Sequence, residues 1–114
     1  FVANTFVKVN LNYFSMIKHI VLFKLAEFES ESAKQQKLNE IKTGLEALPA
    51  LIKEIKLLEV GLNANPAEKF DIALTTEFES MEDLKIYAQH PDHLKVAAII
   101  RAVLADRACV DYQF

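Results

Sequence analysis

Apolar residues dominate the segment Ile17–Leu25, and this run predicts a buried β-strand. One face of the strand holds Ile17, His19, Val21, Phe23 and Leu25. The other face carries Ile20 and Leu22 between two lysines. Because both faces contain apolar residues, we expect a central strand that is covered on both sides.

Further along the chain the apolar residues recur at helical spacing. A helix over 33–48 is predicted by Leu38, Ile41, Leu45 and Leu48. Ser30 or Ser32 is expected to cap it. A second helix is predicted over Met81–Gln89, with Ser80 as its N-cap. A third is predicted from Pro91 to about Leu104, and because it is apolar nearly all round we expect it to be buried on more than one side.

Three more strands are predicted over 52–60, 70–78 and 107–114. The resulting order, β-α-β-β-α-β, is that of the ferredoxin-like α+β fold, an antiparallel sheet with helices on one face. The bare face would then expose Ile20, Leu22, Leu58 and Val60 as an apolar patch. A second copy packed sheet against sheet is the simplest cover, so we predict a homodimer.

Residues 1–15 have a different pattern from the rest. Thr5, Val7, Val9, Leu11 and Tyr13 fall on one face at strand period. Met16 resembles a natural beginning, so we interpret 1–15 as an N-terminal extension of a single domain at 16–114. We expect the extension to pair with a sheet edge or a neighbouring subunit.

Composition narrows the possible partners. The chain has 114 residues, 52% of them hydrophobic, which suits one folded domain. The net charge is −3 with no basic block, which argues against nucleic acid. No apolar run approaches the ~18 residues of a membrane span. The single cysteine, Cys109, excludes an internal disulfide and suits a cytoplasmic location, where we expect it to be a buried, inert thiol.

Candidate chemistry is concentrated between Tyr87 and Leu94. The residue before a proline disfavours helix, so one helix should end near His90 and another should begin at Pro91. His93 then lies in a first helical turn, where the helix dipole disfavours its charged form. A neutral His93 could accept a proton while the Tyr87 phenol stabilises an oxyanion. The alternative is that both side chains only pack.

Four segments in this order resemble the stress-responsive A/B barrel (Dabb) domain family. They are the residues from Ile17 to Lys24, Phe78-Glu79-Ser80, Tyr87 with His90-Pro91-Asp92-His93, and Val110-Asp111-Tyr112. The resemblance implies a dimeric α+β barrel. One member type, a plant polyketide cyclase, uses a Tyr–His pair between helices and sheet, and Tyr87 and His93 match it. His19 matches a first-strand pocket histidine, whereas Ile72 stands where that enzyme has another.

Several functions remain open on this basis. The first is a homodimer that binds a small apolar or aromatic molecule through His19, Tyr87, His93, Ile72 and Phe23. The second is a non-catalytic, stress-associated interaction protein in which the same side chains pack with no cavity. The third is a cyclase-like lyase or a small monooxygenase. His90 and His93 at i, i+3 spacing, with Asp92 or His19, are a weak zinc pattern, and we predict neither a metal nor a cofactor.

Overall fold

The computed structural model describes residues 15–114. Its four strands are β1 (Ile17–Leu25), β2 (Leu57–Leu62), β3 (Ile72–Phe78) and β4 (Leu104–Gln113). Its α-helices are α1 (Glu31–Glu46), α2 (Met81–Gln89) and α3 (Pro91–Arg101), with a short 3-10 helix at Leu48–Ala50. The strands form one antiparallel sheet in the order β2-β3-β1-β4. The predicted ferredoxin-like α+β fold is confirmed. The strand predicted within residues 1–15 lies outside the described residues.

Each helix begins where a side chain can accept a hydrogen bond from its first turn. The Ser30 hydroxyl accepts from the backbone N–H of Ala33 at 3.1 Å, which decides between the two predicted caps. Ser80 caps α2 in the same way. His90 is extended and ends α2, and Pro91 begins α3, as the sequence predicted.

The second strand begins later than predicted, at Leu57 instead of residue 52. Ile52 and Ile55 are 1% and 8% exposed, but they are buried from turns. The N–H of Ile52 bonds to the carbonyl of Leu48, and that of Ile55 bonds to the carbonyl of Ile52. The apolar residues of this turn were therefore wrongly predicted to begin the strand.

The prediction that Leu58 and Val60 lie on the bare face is wrong. Val60 pairs with Leu74 and is 6% exposed, on the face that the helices cover. Side chains alternate along a strand, so an error of one residue exchanges its two faces. Leu57, which is 43% exposed, takes the place on the bare face instead. Ile20 and Leu22 of β1 lie on that face as predicted and are half-buried.

The third helix and the last strand also meet earlier than predicted. Helix α3 ends at Arg101, and Leu104 is the first residue of β4. Helix α3 buries only Val96 and Ile100, while Leu94 is 48% exposed, so the expectation of burial on several sides is wrong. Among the described residues no helix is long and apolar enough to cross a lipid bilayer.

Candidate functional site

A cavity of about 230 Å³ lies between the covered face of the sheet and the helices. Its walls come from β1, β3, α1, α2, α3 and β4. The lining residues are His19, Val21, Phe23, Leu45, Leu74, Tyr87, His93, Ala97, Ile100, Arg101, Leu104 and Arg107. Most of this lining is apolar, and a few polar groups are set into it, which is the usual composition of a small-molecule site.

Tyr87, in the last turn of α2, is 1% exposed. Its ring centroid lies 5.1 Å from that of Phe78, 4.4 Å from that of His93 and 6.4 Å from that of His19. The hydroxyl is buried and has no hydrogen-bond partner among the described residues. Burial raises the pKa of Tyr87 to about 12, so the phenol stays protonated and can donate.

His93 lies in the first turn of α3, and its Nδ1 is 3.0 Å from the carbonyl oxygen of Ala88. A carbonyl only accepts, so Nδ1 carries the proton and Nε2 is left as an acceptor. Burial is the main cause that lowers the pKa of His93. The hydrogen bond to Ala88 raises this pKa, and the charges of His19, Arg101 and Arg107 lower it further. A neutral imidazole was predicted from the helix dipole, and burial is the largest cause of the lowered pKa of His93.

His19 on β1 lies directly opposite Asp111 on β4. Its Nδ1 contacts the Asp111 carboxylate, and the side chain is 12% exposed. The Cys109 sulfur is 3.5 Å from the same Nδ1 and 3.6 Å from the carboxylate. Cys109 is exposed, which corrects the prediction of a buried thiol. Partial burial and the charge of Asp111 raise its pKa, which disfavours the reactive thiolate.

The structure separates His90 from this cluster. Its Nδ1 accepts a hydrogen bond from the backbone N–H of Asp92 at 3.1 Å and caps α3. His90 does not line the cavity. Nδ1 of His93 is already bonded to the carbonyl of Ala88. Over residues 15–114, the potential metal ligands that come together in a group of three are His19, Cys109 and Asp111.

Four of the five predicted ligand-binding residues line the cavity: His19, Phe23, Tyr87 and His93. Ile72 does not. It is 1% exposed and lies against a separate depression near the β2–β3 turn, while Leu74 takes part in the cavity wall. Sequence reasoning missed Arg101 and Arg107, which bring positive charge to the cavity. Their signal was an arginine in the largely apolar second half of the helix predicted from Pro91, and another at the start of the strand predicted over 107–114.

Fold and site together define a ferredoxin-like α+β protein with a cavity between its helices and its sheet. The family profile for the stress responsive A/B barrel domain matches residues 17–114. The chain therefore belongs to the stress-responsive A/B barrel domain family, as the sequence resemblance indicated.

Two kinds of relative support this assignment. The stress-response A/B barrel domain-containing protein DABB1 of Arabidopsis thaliana is 31% identical over 101 residues, which cover 86% of this chain and 47% of DABB1. This chain thus spans about half the length of that relative. A dimeric ferredoxin-like protein of unknown function from Bacteroides fragilis is 47% identical with a TM-score of 0.83, covering 87% of this chain and 96% of that one.

Similarity of fold extends further than similarity of sequence. A dimeric ferredoxin-like protein from Thermobifida fusca is 30% identical with a TM-score of 0.76, covering 88% of this chain and 92% of that one. Hydroxynitrile lyase from Passiflora edulis has a TM-score of 0.75 at 19% identity, covering 89% of this chain and 94% of the lyase. At 19% identity the likeness concerns the fold alone.

Proposed function

We propose that this protein is a homodimer that binds a small, largely apolar aromatic molecule in the cavity beside Tyr87 and His93. The observation that carries the proposal is the buried hydroxyl of Tyr87. Tyr87 lines the cavity, and its hydroxyl has no hydrogen-bond partner within residues 15–114. Leaving such a group unsatisfied costs about 1–3 kcal/mol. A ligand with an acceptor atom at this position recovers that cost.

Cavity volume limits the size of the ligand. An apolar cavity of about 150 Å³ holds benzene. The 230 Å³ available here leaves room for one ring with a short substituent. Drug-sized ligands occupy larger pockets, of about 300–1,000 Å³. We therefore infer a single-ring molecule whose carbonyl or other acceptor faces Tyr87.

The bare face of the sheet supports the homodimer. Val110 and Tyr112 of β4 are 54% and 42% exposed beside the half-buried Ile20 and Leu22. Apolar patches of this kind mark interfaces. The relatives from B. fragilis and T. fusca, both at 30% identity or more, are dimeric. The unpaired thiol of Cys109 fits the cytoplasmic location that we propose for the protein.

The proposal is tested with acetophenone, whose ring fits the inferred size and whose carbonyl can accept from Tyr87. Binding is measured by nuclear magnetic resonance titration of the wild type and of Tyr87→Phe. Loss of one hydrogen bond of about 0.5–1.5 kcal/mol should weaken binding roughly 2- to 12-fold. Ethylbenzene, which has a similar shape and no carbonyl, should bind both proteins equally. If neither ring binds the wild type at millimolar concentration, the proposal fails and the non-catalytic interaction protein is favoured.

A lyase or cyclase is the second candidate, favoured by one observation. The imidazole ring of His93 lies next to the Tyr87 phenol, with the ring centroids 4.4 Å apart. Within residues 15–114, neither Nε2 of His93 nor the Tyr87 hydroxyl has a hydrogen-bond partner. In this reading Nε2 removes a proton α to a carbonyl and the C–H electron pair becomes the enolate C=C bond. The Tyr87 O–H donates to the oxyanion.

This second candidate has its own measurement. In D₂O the methyl protons of bound acetophenone should exchange for deuterium, because His93 removes a proton and returns a deuteron. The His93→Ala variant should bind acetophenone and lose this exchange. If the wild type binds acetophenone without accelerating exchange, the site is for binding only.

A further inference from the structure

We propose that His19, Cys109 and Asp111 form a binding site for a divalent cation of the zinc type beside the cavity. Strand pairing brings them together. His19 and Asp111 are directly paired residues of β1 and β4, and Cys109 lies two residues before Asp111 on the same face. One ligand atom from each residue lies within 4.8 Å of the other two.

The chemistry of the three donors fits zinc. Zn²⁺ takes imidazole nitrogen, thiolate sulfur and carboxylate oxygen in a tetrahedral arrangement. A thiolate and a carboxylate together offset the charge of a divalent ion. Arg107 also acts electrostatically on the Cys109 sulfur. Its positive charge lowers the affinity for a cation, but the three donor atoms remain available.

The spacing of the donors supports the same ion. With Zn–N and Zn–O at about 2.1 Å and Zn–S at about 2.3 Å, tetrahedral geometry puts sulfur about 3.5–3.6 Å from the other two donors. The observed distances from the Cys109 sulfur are 3.5 Å to His19 and 3.6 Å to Asp111. The third edge, between His19 and Asp111, is a direct contact and must lengthen. The Asp111 side chain is 31% exposed and has room to rotate.

Three protein ligands leave one position of the tetrahedron for water or another molecule. Because His19 also lines the cavity, this position is expected near the space assigned to the organic ligand. The cation site does not depend on that assignment. Its test contains no organic ligand, so the two proposals fail separately.

Cobalt(II) added to the complete, metal-free chain tests the site. Thiolate coordination gives a near-ultraviolet charge-transfer band, and Cys109 is the only cysteine that can produce it. We expect this band with visible tetrahedral d–d bands, one ion per chain, and displacement by zinc. Cys109→Ser should abolish the charge-transfer band. His19→Gln and Asp111→Asn should each weaken cobalt binding on the order of tenfold or more, at least the loss caused by removing an outer-shell partner.

Two controls make the result decisive. His90→Gln changes a histidine outside the group and should retain the wild-type spectrum and affinity. Thermal unfolding of every variant in metal-free buffer shows whether it has folded. Absence of the charge-transfer band in the wild type overturns the proposal. Wild-type cobalt affinity in folded His19→Gln and Asp111→Asn also overturns it.

Discussion

The ring of His93 lies 4.4 Å from the ring of Tyr87, across the helix break at Pro91. The two residues nevertheless differ in how their polar atoms are satisfied. The Nδ1–H of His93 donates to the carbonyl of Ala88, whereas the Tyr87 hydroxyl has no partner in the part of the chain that the structure describes. His93 is held in place by its hydrogen bond to Ala88, and Tyr87 keeps a hydrogen-bond donor for a ligand.

Replacing Tyr87 with Phe should stabilise the ligand-free protein. The change removes a buried hydroxyl whose unsatisfied state costs about 1–3 kcal/mol, so the free energy of unfolding should rise by about 1 kcal/mol. Urea unfolding at fixed protein concentration measures this. Thr76→Val is the matched control, because Thr76 is 0% exposed and its hydroxyl donates to the His19 carbonyl. That variant should lose stability. A loss in Tyr87→Phe as well would show that the phenol is satisfied in solution.

The free energy of unfolding should fall as the pH is lowered, partly because His93 becomes protonated. Its folded-state pKa lies below the ordinary histidine value of 6.5, so on acidification the unfolded chain takes up the proton first. The contribution of neutral His93 to the free energy of unfolding is complete above pH 6.5. It is lost as the pH falls from 6.5 through the lowered pKa of the folded state. In His93→Gln the free energy of unfolding should vary less with pH in that window. Above pH 6.5 the two curves should run parallel. An unchanged slope below pH 6.5 contradicts the prediction.

The sequence predicted those parts of the fold that depend on local signals. The apolar run of Ile17–Leu25 and the Ser30 and Ser80 caps specify elements without help from the rest of the chain. The bounds of β2 depend instead on what the chain packs against. Ile52 and Ile55 fill the core from a turn, and their side chains carry the same apolar signal that a strand would.

Within the candidate site, the sequence predicted residues that share a short segment and residues that the family resemblance indicated, but it missed the contacts made where distant segments meet. Tyr87 and His93 are six residues apart and were identified together. The contact between His19 and Asp111 depends on the register of β1 against β4, which spans 92 residues of sequence. No local pattern reports that register. Arg107 was missed for the same reason, since only the sheet brings the start of β4 to the cavity.

A charge on the bare face of the sheet should separate the proposed dimer. Val110 pairs with Ile20 at this face and is 54% exposed, so Val110→Lys would bury a charge between two sheets. Sedimentation should give twice the chain mass of 12.9 kDa for the wild type and the single mass for the variant. Leu51→Lys, at a 55% exposed leucine after the 3-10 helix, should remain dimeric. A wild type that sediments at 12.9 kDa at micromolar concentration contradicts the dimer.

A carboxylate on the aromatic ligand should strengthen binding through the two arginines. Arg101 and Arg107 line the cavity, and both act on the charge of His93. Among the ion pairs within residues 15–114, neither guanidinium has a carboxylate partner. Benzoate, which has nearly the shape of acetophenone, should therefore bind more tightly, by about 1 kcal/mol for each exposed ion pair at most.

Calorimetric titration of both compounds measures this preference. Arg101→Gln and Arg107→Gln should each weaken benzoate binding and leave acetophenone binding unchanged, because only benzoate carries a charge. Raising the salt concentration to 1 M shortens the screening length to about 3 Å and should reduce the preference in the wild type. If benzoate binds more weakly than acetophenone at low salt, the arginines do not face the ligand. The cavity would then select neutral rings, and Tyr87 would provide the polar contact.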